Sequence, residues 1–338
     1  MSEKHSNIKR IVHRCIEELK ATNEIAKYTS IKDALLTLKA KLEIQKINRK
    51  GYVETDDFKK TILKKHDIMN EYFEKKFKAF INSYNFNENN LTKSTNYKNC
   101  IWVCWWQGIN NAPEIVKKCV TSIKLNSNGH RVIVIDENNF NKYVNIPDWI
   151  IQKKEKGIMS RTHFSDFLRI ELLAEHGGVW LDSTFFCVNL NIEQYLNLPI
   201  WSVKRPDYGH ISVACGQFAN YSFSCQFEER KVFAIIRDYL SEYWKTNNKI
   251  VDYLFLDYLI VLAQKHNKQI ADLFNSIPAN NPNCDELFKV LNEPFDCEKW
   301  ECLKENTSLF KLTWKQEFKK EVNGQKTFYG KLVEDSLN

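Results

Sequence analysis

The spacing of apolar side chains divides the chain into two unlike parts. From residue 7 to 47, IVHRCIEELK and then IKDALLTLKAKLEIQ place Ile, Leu and Ala every three or four positions with Lys and Glu between, which predicts amphipathic helix. A further helix is predicted from Asp56 to Asn82. Ser83 to Asn99, SYNFNENNLTKSTNYKN, has no period and is rich in Asn, Ser and Thr, as a connection is. A boundary is placed there, with residues 1–95 helical and residues 96–338 forming a second domain.

Beyond it the period changes. Cys100 to Trp106, CIWVCWW, reads as a buried strand, a helix runs from near Pro113 to Leu125, and RVIVID (Arg131 to Asp136) is a second strand. Such a β-α-β unit requires a parallel pair with a right-handed crossover. A short helix follows in PDWIIQKKEKG, then a longer one in SDFLRIELLAEHGG, whose Phe167, Leu168, Ile170, Leu172 and Leu173 have helical spacing and whose stop is Gly177 in a left-handed conformation. VWLDSTFF is a third strand, PIWSV and HISVACGQF are short strands, and FEERKVFAIIRDYLSEYWK and VDYLFLDYLIVLAQKH are helices, the last apolar almost all round and so buried. From Asn281 the chain reads as irregular until SLFKLTWKQ, and no internal repeat is present. This alternation predicts an α/β nucleotide-binding domain with its ligand at the carboxyl ends of the strands, where Trp105 to Gly108, Asp136 and Asp182 stand.

Composition narrows the classes. With 338 residues, 43% hydrophobic and 27% charged, the chain can bury a sizeable core, which excludes disorder for most of it. No apolar run reaches the ~18 residues of a membrane helix, and MSEKHSNIKR has no signal-peptide core, so a soluble protein of the cytoplasm is expected. Ten cysteines without a C-x-x-C read as reduced, mostly buried thiols, and no metal is assigned to them. The net charge of +7 is N-terminal: the first 99 residues carry 21 basic and 13 acidic side chains, the rest 28 and 29. Such a segment can face nucleic acid, an anionic membrane or a phosphorylated substrate. All nine tryptophans lie beyond residue 100, so basic and aromatic residues do not interleave and nucleic acid is not expected as a partner. No G-x-x-x-x-G-K or G-x-G-x-x-G occurs to support a nucleotidyltransferase.

The strongest local signal is Arg161-x3-Ser165-Asp166-x2-Arg169, seven residues, then Gly177-Gly178-Val179-Trp180-Leu181-Asp182-Ser183-Thr184. Asp166 and Arg169 share a helix face, and Asp182 ends a strand after a Gly-Gly turn. A carboxylate there can hold a divalent cation and the arginine can neutralise phosphate, a pairing suited to a diphosphate.

The run SRTHFSDFLRIELLAEHGGVWLDSTFF resembles the S-D-x-x-R … G-G-x-(Y/W)-x-D-x-(D/T) signature of capsular polysaccharide synthesis proteins, and IWVCWWQG, NNAPEIVKKCVTSI and FKLTWK resemble that family as well, over roughly residues 100 to 316. The resemblance implies a GT-A glycosyltransferase domain, a Rossmann-like mixed sheet flanked by helices with the helical segment N-terminal to it. It implies transfer of a sugar, with retention, from a nucleoside-diphosphate sugar, a UDP-sugar being expected, to a hydroxyl of a surface-glycan or capsular acceptor, free or lipid-linked. The basic N-terminal segment, outside the resemblance, can dock on the sheet domain, dimerise, or hold the enzyme near a lipid-linked acceptor through peripheral contact with the inner face of the cell membrane. The alternative is a catalytically degenerate scaffold or nucleotide-binding protein of the same fold.

Residue by residue, the resemblance implies that Trp105 stacks on the donor base, Asp166 bonds ribose or sugar hydroxyls, Arg169 contacts sugar and phosphate, and Asp182 bridges ribose and metal. Gln107, Asp136, Arg161, Ser165 and Thr184 complete the donor site, with Lys311 and Trp314 closing over the diphosphate. Catalytic roles fall to Arg169, Asp182 and Asp257, the last on the acceptor side, as Asp252 is its rival there. The expected cofactor is Mn or Mg on Asp182, but Thr184 stands where the second acid of D-x-D would be, and Phe310 where a His often precedes the Lys. A hydroxyl is a weak ligand for a hard cation. Without the metal, Arg161, Arg169, Lys204 or Lys311 must balance the phosphate charge. His163 reads as structural rather than as a base, and His176 as a partner for the helix C-terminus.

Overall fold

The computed structural model describes residues 2–50, 54–86, 91, 96–206, 208–334 and 337, and side chains from Arg14 onward in the first helix. Three helices come first: α1 (Ser2–Ala26), α2 (Ile31–Lys50) and α3 (Asp56–Ser83). The helical pattern read across residues 7–47 is interrupted by a turn at residues 27–30, where the Ser30 hydroxyl accepts from the Asp33 amide and starts α2. Thr55 caps α3 in the same way, accepting from Phe58.

The remaining elements are β1 (Ile101–Cys104), α4 (Glu114–Leu125), β2 (Val132–Ile135), α5 (Asp148–Glu155), α6 (Arg161–His176), β3 (Gly178–Leu181), β4 (Phe185–Cys187), α7 (Glu193–Leu196), β5 (Ile200–Trp201) and β6 (Ser222–Cys225). After them come α8 (Lys231–Thr246), α9 (Phe255–His266), α10 (Lys268–Ser276), α11 (Glu286–Val290), α12 (Cys297–Lys304), β7 (Leu309–Lys311), β8 (Glu321–Val322), β9 (Gln325–Lys326) and α13 (Phe328–Val333).

A five-stranded mixed sheet in the order β2-β1-β3-β6-β5 organises the molecule. β2, β1 and β3 are parallel, whereas β6 runs antiparallel to both β3 and β5. The fold is therefore α/β with a mixed sheet, flanked by helices and preceded by a helical segment. Gly178 shows why β3 can lie against β1: at φ +85° it opposes Cys100, and a Cβ there would sit 2.3 Å from the Cys100 carbonyl oxygen.

Several local expectations change. Gly177 has the positive φ expected of it, but at ψ −147° it is extended rather than left-handed helical. VWLDSTFF is two strands: the Phe185 amide bonds the Asp182 carbonyl at 3.0 Å, and this turn carries the chain out of the main sheet into β4, which pairs with β7. HISVACGQF forms turns instead of a strand, and β6 is the strand that pattern reading missed. Its two serines are buried yet satisfied, Ser222 accepting from the Val203 amide and Ser224 donating to the Tyr195 carbonyl, so a polar sequence occupies a central strand. α9 begins at Phe255 rather than Val251, because the Asp252 carboxylate bonds the Leu254 amide and fixes a turn ahead of it. The stretch from Asn281 to SLFKLTWKQ, read as irregular, contains α11 and α12, each too short to show a period, and β8, β9 and α13 follow that run. Of the ten cysteines, all free, five are buried and three, Cys15, Cys297 and Cys302, are exposed.

α3 shares the sheet domain's core. Phe73 stacks on Tyr258 of α9 at 5.5 Å and Phe77 on Tyr239 of α8 at 5.7 Å. Between these layers Lys65 pairs with Asp252 at 2.8 Å and donates to the Tyr258 hydroxyl at 3.2 Å. No helix among the described residues is long and apolar enough to cross a membrane.

Removing one partner of a buried pair strands the other charge. Lys65→Ala is therefore expected to lower the free energy of unfolding by about 3–5 kcal/mol in a urea titration. Lys75→Ala, which breaks the exposed pair with Glu71, is expected to cost less than about 1 kcal/mol.

Candidate functional site

Where β3 ends, a cavity of about 310 Å³ opens between α6, the start of α9 and the loop that precedes β6. α6 begins at Ser160, whose hydroxyl accepts from the His163 amide, and it carries Asp166 and Arg169 on the cavity face. Asp182 enters from the turn between β3 and β4. Lys311 enters from the last position of β7, which is in register with Phe185 of β4.

These side chains form one network. Arg169 Nη2 lies 3.2 Å from Asp182 Oδ1 and Nη1 lies 3.4 Å from Asp166 Oδ1, while Nη1 also donates to the Asn220 carbonyl. The guanidinium stands over the Trp180 ring, 5.1 Å from its centroid. Asp182 Oδ1 accepts from Trp180 Nε1 at 3.0 Å as well, and Oδ2 accepts from Lys311 Nζ at 3.0 Å. Lys311 Nζ also donates to Thr184 Oγ1 at 2.6 Å. At the far wall Asp257 accepts from Ser212 Oγ and Asn220 Nδ2, both at 2.7 Å.

The three carboxyls are not alike. Burial acts to raise Asp182, but the Lys311 and Arg169 cations outweigh it and hold the group below the usual carboxylate range. Burial pushes Asp166 up to about 7, since Arg169 divides its charge between two acids and Asp257 and Asp182 add repulsion. Asp257 is raised to about 6 by burial, against the hydrogen bonds from Ser212 and Asn220. The site thus offers one firmly ionised carboxylate between two cations and two carboxyls that change protonation near neutrality.

The structure brings Asp166, Arg169, Asp182, Asp257 and Lys311 to this cavity, with Thr184 bonded to Lys311 beside it. It does not bring the other expected residues into its lining. Trp105 and Trp314 pack edge to face at 5.5 Å beyond the end of β1, Trp314 half exposed. Gln107 is exposed, and Asp136 turns back on its own loop, accepting from the Asn138 amide. Arg161 pairs with Glu137 on the surface. The Ser165 hydroxyl is occupied, accepting from Trp106 Nε1 and donating to the Arg161 carbonyl. Asp252 belongs to the Lys65 pair and lies outside the lining. His163, lowered to about 4 by burial, is held by Ser160. His176 bonds the Tyr143 carbonyl at 2.6 Å. Lys204 donates to the last carbonyls of α10 at Phe274 and Asn275. Phe310 packs on Trp300.

Arg205, Tyr208, Ser212, Asn220, Tyr221 and Tyr253, none of which sequence reasoning named as a site residue, also line the cavity. Arg205 pairs with Asp285, donates to the Tyr221 hydroxyl and covers the Tyr208 ring. The only signal was the aperiodic run KRPDYGHIS, of which residue 207 lies outside the described residues.

The family model described as capsular polysaccharide synthesis protein matches residues 49–332, from the end of α2 into α13, a wider span than the motifs that suggested it. No curated protein and no solved structure matches the chain.

Raised carboxyl pKa values make the folded state the better proton binder, so stability falls as pH rises from the unfolded value near 4 through the folded values. Asp166 and Asp257, at about 7 and about 6, should each contribute such a fall. Replacing either by Asn is expected to flatten the decline between pH 4 and pH 7.5, read as the difference in melting temperature from the parent protein across that range.

Proposed function

The chain belongs to the capsular polysaccharide synthesis protein family, and from that premise we propose that it is a glycosyltransferase of GT-A type. On this reading it moves a sugar from a nucleoside-diphosphate sugar, UDP-sugar first among them, to a hydroxyl of a surface-glycan or lipid-linked acceptor, with retention. The observation that carries the reading is the Arg169–Asp182–Lys311 cluster opening into the cavity at the end of β3. A family name alone would serve a scaffold as well. When Asp166 is protonated, Arg169 and Lys311 share the one ionised carboxylate of Asp182 and leave positive charge over, and a diphosphate leaving group supplies the complement.

The chemistry needs little from the protein beyond position and charge. The bond between the anomeric carbon and the diphosphate oxygen breaks, the acceptor oxygen bonds the same face of that carbon, and the acceptor proton passes to the departing diphosphate. Arg169 stabilises the charge that grows on the leaving oxygen and, clamped by Asp182, Asp166 and the Asn220 carbonyl, does so without reorganising. Asp166 and Asp257 are placed to bond sugar hydroxyls, a neutral carboxyl donating and an ionised one accepting. Trp314, half exposed and packed edge to face with Trp105, offers an aromatic ring for the base at the strand ends. The enzyme would work at the inner face of the membrane, with the basic excess of the first 99 residues as its means of contact.

Calorimetric titration with UDP, GDP and CMP tests the site. One nucleoside diphosphate is expected to bind, and failure of all three at millimolar concentration would hand the fold to the scaffold reading. Arg169→Ala is expected to lower sugar transfer by at least ~100-fold in protein that still melts cooperatively, at a lower temperature because Asp182 and Asp166 lose their buried partner. A well-folded Arg169→Ala protein with the parent turnover would remove Arg169 from the mechanism.

A further inference from the structure

Resting on that reading, we propose that the Lys311 ammonium is the built-in cation of the donor site, binding the diphosphate where a divalent metal ion would otherwise be needed. The two side chains flanking Ser183 are those on which a metal would depend, and Lys311 Nζ already bridges them, 3.0 Å from Asp182 Oδ2 and 2.6 Å from Thr184 Oγ1. The pairing of β4 with β7 makes this arrangement structural: Phe185 opposes Lys311, the Leu312 amide bonds the Thr184 carbonyl at 2.9 Å, and the Lys311 amide bonds the Cys284 carbonyl at 2.7 Å. The lysine cannot drift from the turn without breaking that ladder.

The donor set does not fit a resident Mn or Mg ion. Hard cations take about six oxygen ligands, yet both Asp182 oxygens are engaged by Arg169, Trp180 and Lys311, and both Asp257 oxygens by Ser212 and Asn220. Asp166 faces Arg169 at 3.4 Å. Among the described residues no three His, Cys, Asp or Glu side chains come together in a group that could hold a metal. A dication placed beside Asp182 would also meet an ammonium and a guanidinium at contact distance.

Lys311 is equipped for the alternative. An ammonium has three donors; two are spent on Asp182 and Thr184, which leaves one for a ligand oxygen. Its charge lies 5.1 Å from the centre of the Tyr221 ring, and its side chain is one-fifth exposed, so it is steadied on one side and open on the other. Of the other basic residues that could serve, Arg169 shares the cavity with Lys311, while Lys204 is committed to the carbonyls ending α10, Arg161 to Glu137 and Arg205 to Asp285. Thr184 then has a reason of its own. A second carboxylate there would hold the ammonium between two negative charges and cancel the field offered to phosphate, whereas a hydroxyl orients it at no cost in charge.

The experiment uses the full chain and two separate readouts. Manganese alone is titrated into the ligand-free protein and followed by electron paramagnetic resonance, and UDP is titrated by calorimetry in EDTA and again in Mn. The expected results are no stoichiometric Mn site, UDP affinity equal within about twofold in the two buffers, and a loss of about 10- to 100-fold in Lys311→Ala that Lys311→Arg largely restores. The double variant Thr184→Asp with Lys311→Ala should gain both a Mn site and Mn-dependent UDP binding. A Mn site on the parent protein, UDP binding abolished by EDTA, or undiminished UDP affinity in folded Lys311→Ala would each overturn the inference while leaving the transferase reading in place. Absence of UDP, GDP and CMP binding when each is titrated in both buffers would overturn that reading and the inference with it.

Discussion

The Asp182 carboxylate is the point on which the rest of the site depends. It sits where the chain leaves the five-stranded sheet for the small β4–β7 pair, and it accepts from Arg169 of α6, Trp180 of β3 and Lys311 of β7. A buried carboxylate without partners would take up a proton or unfold the corner around it. With these three donors it stays ionised and joins two sheets and a helix through one group. The same bonds that satisfy the charge fix the positions of both cations, so stability and ligand preorganisation have a single cause here.

That corner explains the unequal behaviour of the neighbouring acids. Arg169 reaches both Asp166 and Asp182, and Asp182, bonded also to Lys311 and Trp180, takes the larger share of the ionisation. Asp166 remains buried with an incomplete partner and moves toward neutrality, as does Asp257 with only neutral donors. The cavity consequently has its two cations, Arg169 and Lys311, around Asp182, with the weakly acidic Asp166 beside Arg169 and Asp257 on the far wall. A sugar joined to a diphosphate presents the complement of both kinds of group, phosphate charge for the cations and hydroxyls for the carboxyls.

Much of this was legible in the sequence, for definite reasons. α4 and α6 are long and periodic, β1 and β2 are short unbroken apolar runs on either side of α4, and Asp166, Arg169 and Asp182 stand at spacings that place them on one helix face and one strand end. The break inside VWLDSTFF was not legible, because strands on either side of a tight turn are apolar alike and nothing in the pattern marks a change of sheet. β6 was hidden because buried serines read as surface when their backbone partners are unknown. The loop residues Arg205, Ser212 and Asn220 have no period at all, and their place follows from bonds to Asp285, Tyr221 and Asp257 that only the folded chain brings together. Ser165 and Asp136 stand at suggestive positions in the sequence, but both lie outside the cavity lining and their polar atoms bond nearby backbone and side-chain groups.

The N-terminal helices acquire a purpose from the same bookkeeping of polar groups. His66 of α3 donates from Nε2 to the His210 carbonyl, since a carbonyl can only accept, which leaves Nδ1 to accept from the Tyr258 hydroxyl. The ring is neutral, with burial lowering it to about 4. Glu54, just ahead of α3, accepts from both the amide and the Nδ1 of His210. Two residues on, Ser212 donates to Asp257 in the cavity wall. The loop that shapes the far side of the cavity therefore hangs from α3 through His210, while Lys65 secures the turn at Asp252 that launches α9 and with it Asp257. Glu54, Lys65 and His66 all fall inside the family match that begins at residue 49. α3 contributes no side chain to the cavity lining, but with Glu54 it braces the loop and the turn on either side of Asp257, so its contacts help to set where Asp257 stands.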